Sequence, residues 1–132
     1  VDGGLAAYRD AMARYPLNTP LIYAYSDALV RAERFADLYT FTEKQLQNYP
    51  QDVRLFQLQA QAAAETGRRA QQHRATAEAY ALQGQTTAAI EQLQLAQRAG
   101  DANFYDLSVI DARLRELKKR QEEELKEKRK QQ

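Results

Sequence analysis

The stretch YPLNTPLIYAYSDALVRAERFADLYTFTEKQLQNYP, residues 15–50, opens and closes on the same dipeptide, Tyr15-Pro16 and Tyr49-Pro50, 34 residues apart. Proline lacks the amide that a helix interior needs, so each pair marks a stop in the chain. Between the stops, Leu21, Tyr25, Ala28 and Leu29, and then Leu38, Phe41, Gln45 and Leu46, recur at three- and four-residue steps. That spacing lines one face of a helix. The same rhythm extends upstream through Leu5, Tyr8, Met12 and Tyr15, and downstream through Leu55, Leu58 and Ala62. Further on, Gly67 and Gly84 stand 17 residues apart, half the interval between the Tyr-Pro pairs. The pattern predicts helices over residues 4–15, 19–32, 35–48, 52–66, 69–83, 86–99 and 103–130. Asp52 and Thr86 are the expected N-caps, Gly67, Gly84 and Gly100 the C-terminal stops, and Pro20 suits a first turn, where its missing donor is not needed.

Composition agrees with an all-α chain. The 132 residues include 23 Ala, 15 Leu and 16 Gln against seven Val plus Ile, a balance that favours helix over strand. Length alone allows one domain or about four units of a 34-residue repeat. Nineteen basic and eighteen acidic residues leave a formal charge of +1, so no overall field points to nucleic acid or an anionic membrane. With no cysteine there is no disulfide, thiolate metal site or cysteine nucleophile. Apolar runs of a few residues fall far short of the roughly 20 needed to span a bilayer. The opening Val1-Asp2-Gly3-Gly4, without an initiator Met, predicts a processed or excised piece of a larger protein.

Helices of about 13 residues joined by two or three residues must fold back on each other, and one such pair cannot cover its own apolar face. Stacked neighbours can. Small residues at Ala24, Ala28, Ala36, Ala60, Ala63, Ala77 and Ala89 fit that packing, opposite large partners such as Tyr25, Leu29, Phe35, Tyr80 and Ile90. Gln- and Ala-rich runs in 57–64 and 83–97 keep Leu58, Ile90, Leu93 and Leu95 at helical spacing and read as folded, with the glutamines on the outer surface.

Ile22-x-x-Tyr25-Ser26-x-x-Leu29, followed by Phe35, Leu38 and Pro50, resembles the tetratricopeptide (TPR) repeat. The resemblance implies an all-α, TPR-type α-solenoid of about seven antiparallel helices, or three and a half repeats, over residues 1–117. In that reading helix 4–15 lacks the first helix of its repeat. Three positions depart from the pattern: Glu33 stands where the turn usually has glycine, and Thr42 and Gln45 replace an aromatic residue and an alanine.

A second resemblance covers residues 67–117. Gly67-Arg68-Arg69-Ala70-Gln71-Gln72-His73-Arg74-Ala75, Ala77-Glu78-Ala79-Tyr80-Ala81-Leu82-Gln83-Gly84, Ala88-Ala89-Ile90-Glu91-Gln92-Leu93 and Asp111-Ala112-Arg113-Leu114-Arg115-Glu116-Leu117 are similar to the C-terminal region of periplasmic M48 metallopeptidases of the β-barrel assembly-enhancing type. This likeness implies the TPR half of a Gram-negative periplasmic protein whose catalytic domain holds zinc. That domain's H-E-x-x-H helix binds the metal through two histidines one turn apart, with the glutamate as base. Here the single histidine, His73, is followed by Arg74-Ala75-Thr76-Ala77. No catalytic or metal-binding residue carries over, so the expectation is a non-enzymatic module with no cofactor, zinc belonging to the absent protease domain.

By TPR geometry, helix 19–32 would turn Tyr23, Asp27 and Arg31 toward a peptide-binding groove, and helix 52–66 would add Arg54, Gln57 and Gln61. The alternative is that these six are ordinary solvent-facing positions. Cytosolic TPR domains that clamp a C-terminal carboxylate use Lys and Asn at such places, and Tyr23 with Asp27 disfavours that clamp. Tyr25 and Tyr80 read as core, and His73 as a solvated or locally hydrogen-bonded residue.

Residues 118–132 form a charged tail with seven basic and four acidic residues and only Leu125 apolar. Glu122 with Lys126, and Glu124 with Lys128, suit a solvated helix continuing from 103–117. Contact of the basic residues with lipid or RNA is the lesser reading, because acids interrupt the patch.

These readings imply protein or peptide partners, namely outer-membrane β-barrel substrates or their assembly machinery. The competing reading is a stand-alone TPR adaptor of a secretion or lipoprotein-assembly complex. Self-association through an apolar face of helix 4–15 is a further expectation.

Overall fold

The computed structural model describes residues 2–132, with side chains from residue 4 onward. Among these residues there are seven helices and no strand: α1 (Asp2–Arg14), α2 (Thr19–Arg31), α3 (Phe35–Asn48), α4 (Val53–Glu65), α5 (Arg69–Leu82), α6 (Thr86–Arg98) and α7 (Phe104–Lys130). None is long and apolar enough to cross a membrane. Each packs chiefly against its neighbours in the chain, as stacked hairpins do.

Two kinds of turn make the hairpins. After α2, α4 and α5 the chain closes in a Schellman motif, whose central residue must adopt the left-handed conformation that glycine tolerates best. The Arg68 amide donates to the Ala63 carbonyl (2.8 Å) and Gln85 to Tyr80 (2.9 Å), around Gly67 at φ 73° and Gly84 at φ 77°. The same pair of bonds surrounds Glu33, at φ 56°: Arg34 donates to Leu29 (2.9 Å) and Glu33 to Val30 (3.0 Å). Glu33 is thus a non-glycine residue in glycine's place.

The second kind follows α1 and α3 and belongs to the Tyr-Pro pairs. Asn18 donates to the Tyr15 carbonyl (3.2 Å) and caps α2 by accepting from the Leu21 amide (3.0 Å). Thirty-four residues on, Asp52 donates to Tyr49 (3.3 Å) and accepts from Leu55 (3.0 Å). The Tyr49 hydroxyl reaches back to the Leu17 carbonyl at 2.7 Å and ties the two turns together. Asp52 caps as expected, and Pro20 sits in the first turn of α2.

Thr86 does not cap α6. It is the first helical residue, Gln85 takes the cap position without a side-chain bond, and the Thr86 hydroxyl donates instead to Glu124 Oε1 (2.9 Å). The cause is the short connection: Gln85 closes the Schellman turn of α5 with its amide and begins α6 with its carbonyl, which accepts from Ala89 (3.0 Å). No separate capping residue fits between them. Arg34 and Arg68 play the same double role before α3 and α5, neither with a side-chain cap. For α5 the missing cap comes from far away: Asp101 accepts from the Arg69 amide (2.7 Å) and the Ala70 amide (2.9 Å). That carboxylate satisfies two orphan amides and faces the positive end of the α5 dipole.

The interior is a succession of clusters. Leu5, Ala28, Leu29, Leu38 and Ala62 join α1 to α4, and Ile22, Leu55 and Leu58 extend the contact between α2 and α4. Ala77, Ala89, Ile90, Leu93, Ile110, Leu114 and Leu117 join α5, α6 and α7. Between them, Ala62, Ala63, Ala70 and Ala75 are buried where α4 meets α5. Of the small residues expected inside, Ala28, Ala63, Ala77 and Ala89 are buried, Ala24 and Ala60 half-buried, and Ala36 is exposed, at the open start of α3. Tyr25 packs edge-on against Phe41 at 4.7 Å between ring centres. Thr42 and Gln45 are buried; Thr42 satisfies its hydroxyl on the Leu38 carbonyl (2.9 Å), whereas Gln45 Oε1 meets no donor.

The apolar side of α1 faces inward rather than to solvent: Leu5 is buried, Tyr8 and Met12 half-buried, and its exposed positions from residue 4 onward are glycine, alanine or charged. The large exposed apolar residues near α1 are instead Tyr15 and Leu17, in the turn that follows it. At the other end α7 continues unbroken to Lys130. Leu117 is its last buried side chain, after which Gln121 donates to Thr87 Oγ1 (2.9 Å) and Glu124 takes the Thr86 hydroxyl.

Candidate protein-docking face

Successive residues turn about 100° around a helix, so Tyr23, Asp27 and Arg31 make one stripe along α2, and Arg54, Gln57 and Gln61 one along α4. The structure brings the near ends of the stripes together through side chains. The Arg54 guanidinium lies over the Tyr23 ring, 4.4 Å from its centre, and donates to both Asp27 oxygens at 3.0 and 2.8 Å. The Tyr23 hydroxyl donates to Asp52 Oδ2, while Asp52 Oδ1 caps α4. One arginine and one aspartate therefore lock α2 against α4 from two sides.

This network holds Tyr23 in its neutral form. The hydrogen bond to Asp52 raises the hydroxyl above the ordinary tyrosine pKa, with burial and the Asp52 charge acting in the same direction and the Arg54 charge opposing them. The Asp27–Arg54 pair is open to solvent on both sides, so screening holds its contribution to stability below about 1 kcal/mol. Its effect is geometric: it fixes where the groups stand.

The remaining residues lie apart from the network. Gln57 and Gln61 are exposed along α4. Arg31 borders a notch of about 210 Å³ between α1 and α2, lined also by Leu5, Tyr8, Ala28 and Ala32. The six expected residues thus divide into a paired group (Tyr23, Asp27, Arg54) and open positions (Arg31, Gln57, Gln61).

Asp52 and Asp101 were not among the expected site residues, although both organise the surface. For Asp52 the signal was present: a carboxylate cap uses one oxygen and leaves the other for a neighbour. For Asp101 no local signal exists, since its partners are 31 and 32 residues away. His73 bridges α5 to α6, with Nδ1 2.9 Å from Gln92 Oε1. On the far side, Arg113 of α7 grips Glu78 of α5 through Nε and Nη2 at 2.9 Å each. Among the described residues, no group of three or more His, Asp or Glu side chains is placed to hold a metal ion. Compared with protein-family models the chain matches none, and it matches no curated protein.

Proposed function

We propose that the chain is a protein-docking module of the TPR kind, and that it serves a periplasmic M48 zinc metallopeptidase by engaging outer-membrane β-barrel substrates or their assembly machinery. The observation that carries the docking role is the recurrence, after 34 residues, of the same turn with the same bonds: Tyr15-Pro16 with Asn18, and Tyr49-Pro50 with Asp52. A turn repeated at the TPR interval supports stacked repeats, and stacked repeats present long surfaces suited to polypeptides. The protease association rests on the likeness of residues 67–117, which span α5, α6 and the first half of α7.

In this reading the α2 and α4 stripes receive the partner. Arg31, Gln57 and Gln61 offer hydrogen bonds to an extended or helical peptide, while Tyr23, Asp27 and Arg54 hold the two helices in register. A photo-crosslinking amino acid at Gln57 or Gln61, in a Gram-negative host, is expected to capture β-barrel precursors or assembly components. The same group at Gln83, away from the stripes, should capture neither. Equal capture from all three positions, or none from a folded protein, refutes the docking role. The gene upstream of Val1 tests the protease association separately: an encoded H-E-x-x-H supports it, and an upstream region without one favours the stand-alone adaptor.

A further inference from the structure

On α4, Phe56 and Gln59 point about 160° away from the Arg54, Gln57 and Gln61 stripe at 100° per residue. They floor a cleft of about 370 Å³ walled by α3 and α5, within the roughly 300–1,000 Å³ range of ligand clefts. The cleft continues past Tyr39 and Gln71, which it shares with a second hollow of about 400 Å³ reaching Arg68 and Asp101. Its chemistry is uneven. Phe56, Leu46 and Ala75 give an apolar floor, and Gln47, Gln59 and Gln71 place three side-chain amides around it.

The charges of the cleft are not equivalent. Glu78 is neutralised by Arg113, and the Arg68 guanidinium is stacked 4.0 Å above the Tyr39 ring. Arg74 is half-buried and donates through Nη1 in a long bond of 3.4 Å to Gln71 Oε1; no carboxylate lies within 4 Å of it. Glu43 is exposed on the α3 wall. A half-buried guanidinium without a carboxylate partner offers its N–H donors to one, because desolvation strengthens the pair. Side-chain amides match the donors and acceptors of an extended backbone, and the apolar floor suits one aliphatic or aromatic side chain.

We infer that this cleft between α3 and α5 is a second docking site, for an extended peptide whose carboxylate pairs with Arg74 and whose neighbouring apolar side chain lies on Phe56. It is independent of the α2–α4 stripes, since the two sites occupy opposite sides of α4. Random heptapeptides displayed on phage and selected on the whole chain provide the test. The expected consensus joins Asp or Glu to Leu, Ile or Phe a few residues away. The selected peptide, synthesised and labelled, should bind about tenfold more weakly to Arg74→Gln and to Gln59→Glu, both checked for unchanged helicity. Binding to Gln57→Ala should be unchanged. Amide shifts on titration should centre on Gln59, Gln71 and Ala75. A basic consensus, no consensus, or binding lost in Gln57→Ala but kept in Arg74→Gln overturns the assignment; the last outcome would leave the α2–α4 docking reading standing alone.

Discussion

Three turns of one geometry, two with glycine and one with glutamate, make an internal experiment. Gly67 and Gly84 hold φ 73° and 77°, and a Cβ built on either meets nothing within 4 Å. An alanine there would be opposed by backbone torsion alone, without a clash. Left-handed conformations cost a non-glycine residue roughly 1–2 kcal/mol, and glycine returns part of that through the extra freedom of its unfolded chain. Glu33→Gly is therefore expected to stabilise the protein by about 0.5–1 kcal/mol, and Gly67→Ala and Gly84→Ala to destabilise it by about 1 kcal/mol each. For a chain of this size about 1 kcal/mol corresponds to about 3–4 °C in Tm. Thermal unfolding followed by circular dichroism measures the shift, and hydrogen exchange at Arg34 and Arg68 locates it, because both amides close their turns. Glu33→Ala is the control, since it removes the charge and leaves the torsion unrelieved. Should Glu33→Ala raise Tm as much as Glu33→Gly, charge rather than backbone strain governs the turn and the reasoning fails.

Asp101→Ala removes both acceptors from the start of α5 and is expected to cost about 1–2 kcal/mol, with Arg69 and Ala70 amides exchanging faster while those of α2 are unchanged. Gln45→Leu replaces a buried amide whose oxygen lacks a donor and should stabilise by about 1 kcal/mol in denaturant unfolding; a loss of stability would mean that the amide is satisfied in solution. The Tyr23 hydroxyl donates to Asp52, so its pKa is raised in the folded state, and the stability it provides is complete below the unfolded tyrosine pKa and lost as pH rises through the folded one. Tyr39, raised chiefly by burial, follows the same sign. Unfolding midpoints should fall above pH ~10, and Tyr23→Phe should flatten part of the fall; identical pH profiles would remove Tyr23 from the account.

Helix placement was legible because the information is local. Apolar spacing, Gly67, Gly84 and the two Tyr-Pro pairs act within a few residues, and the observed boundaries fall within about two residues of those expected. What escaped were roles fixed by tertiary approach. A threonine at the start of α6 reads as a cap in sequence, yet a connection with one residue serving two helices leaves it no capping position, and Glu124 claims its hydroxyl across 38 residues. Glu33 reads as a departure from the TPR pattern; its φ of 56° gives its turn the same geometry as those at Gly67 and Gly84, with a different residue type.

The candidate face follows the same division. Helical periodicity places Tyr23 with Asp27, and Arg54 with Gln57 and Gln61, but not which stripe meets which, nor that Arg54 would spend its charge on Asp27 and its plane on Tyr23. An arginine read as available to a partner is already engaged, while Arg74 on α5 has no carboxylate within 4 Å. Charge availability is a difference between what a side chain carries and what its neighbours take. In stacked helix hairpins the neighbours that matter lie on another hairpin: Asp27 and Arg54 are 27 residues apart, and Glu78 and Arg113 are 35. Substitutions meant to map binding on this chain should therefore be made as pairs across adjacent hairpins. Arg54→Ala alone would expose Asp27 and release Tyr23, so a binding change it caused could come from either; Arg54→Ala with Asp27→Ala separates lost recognition from lost register.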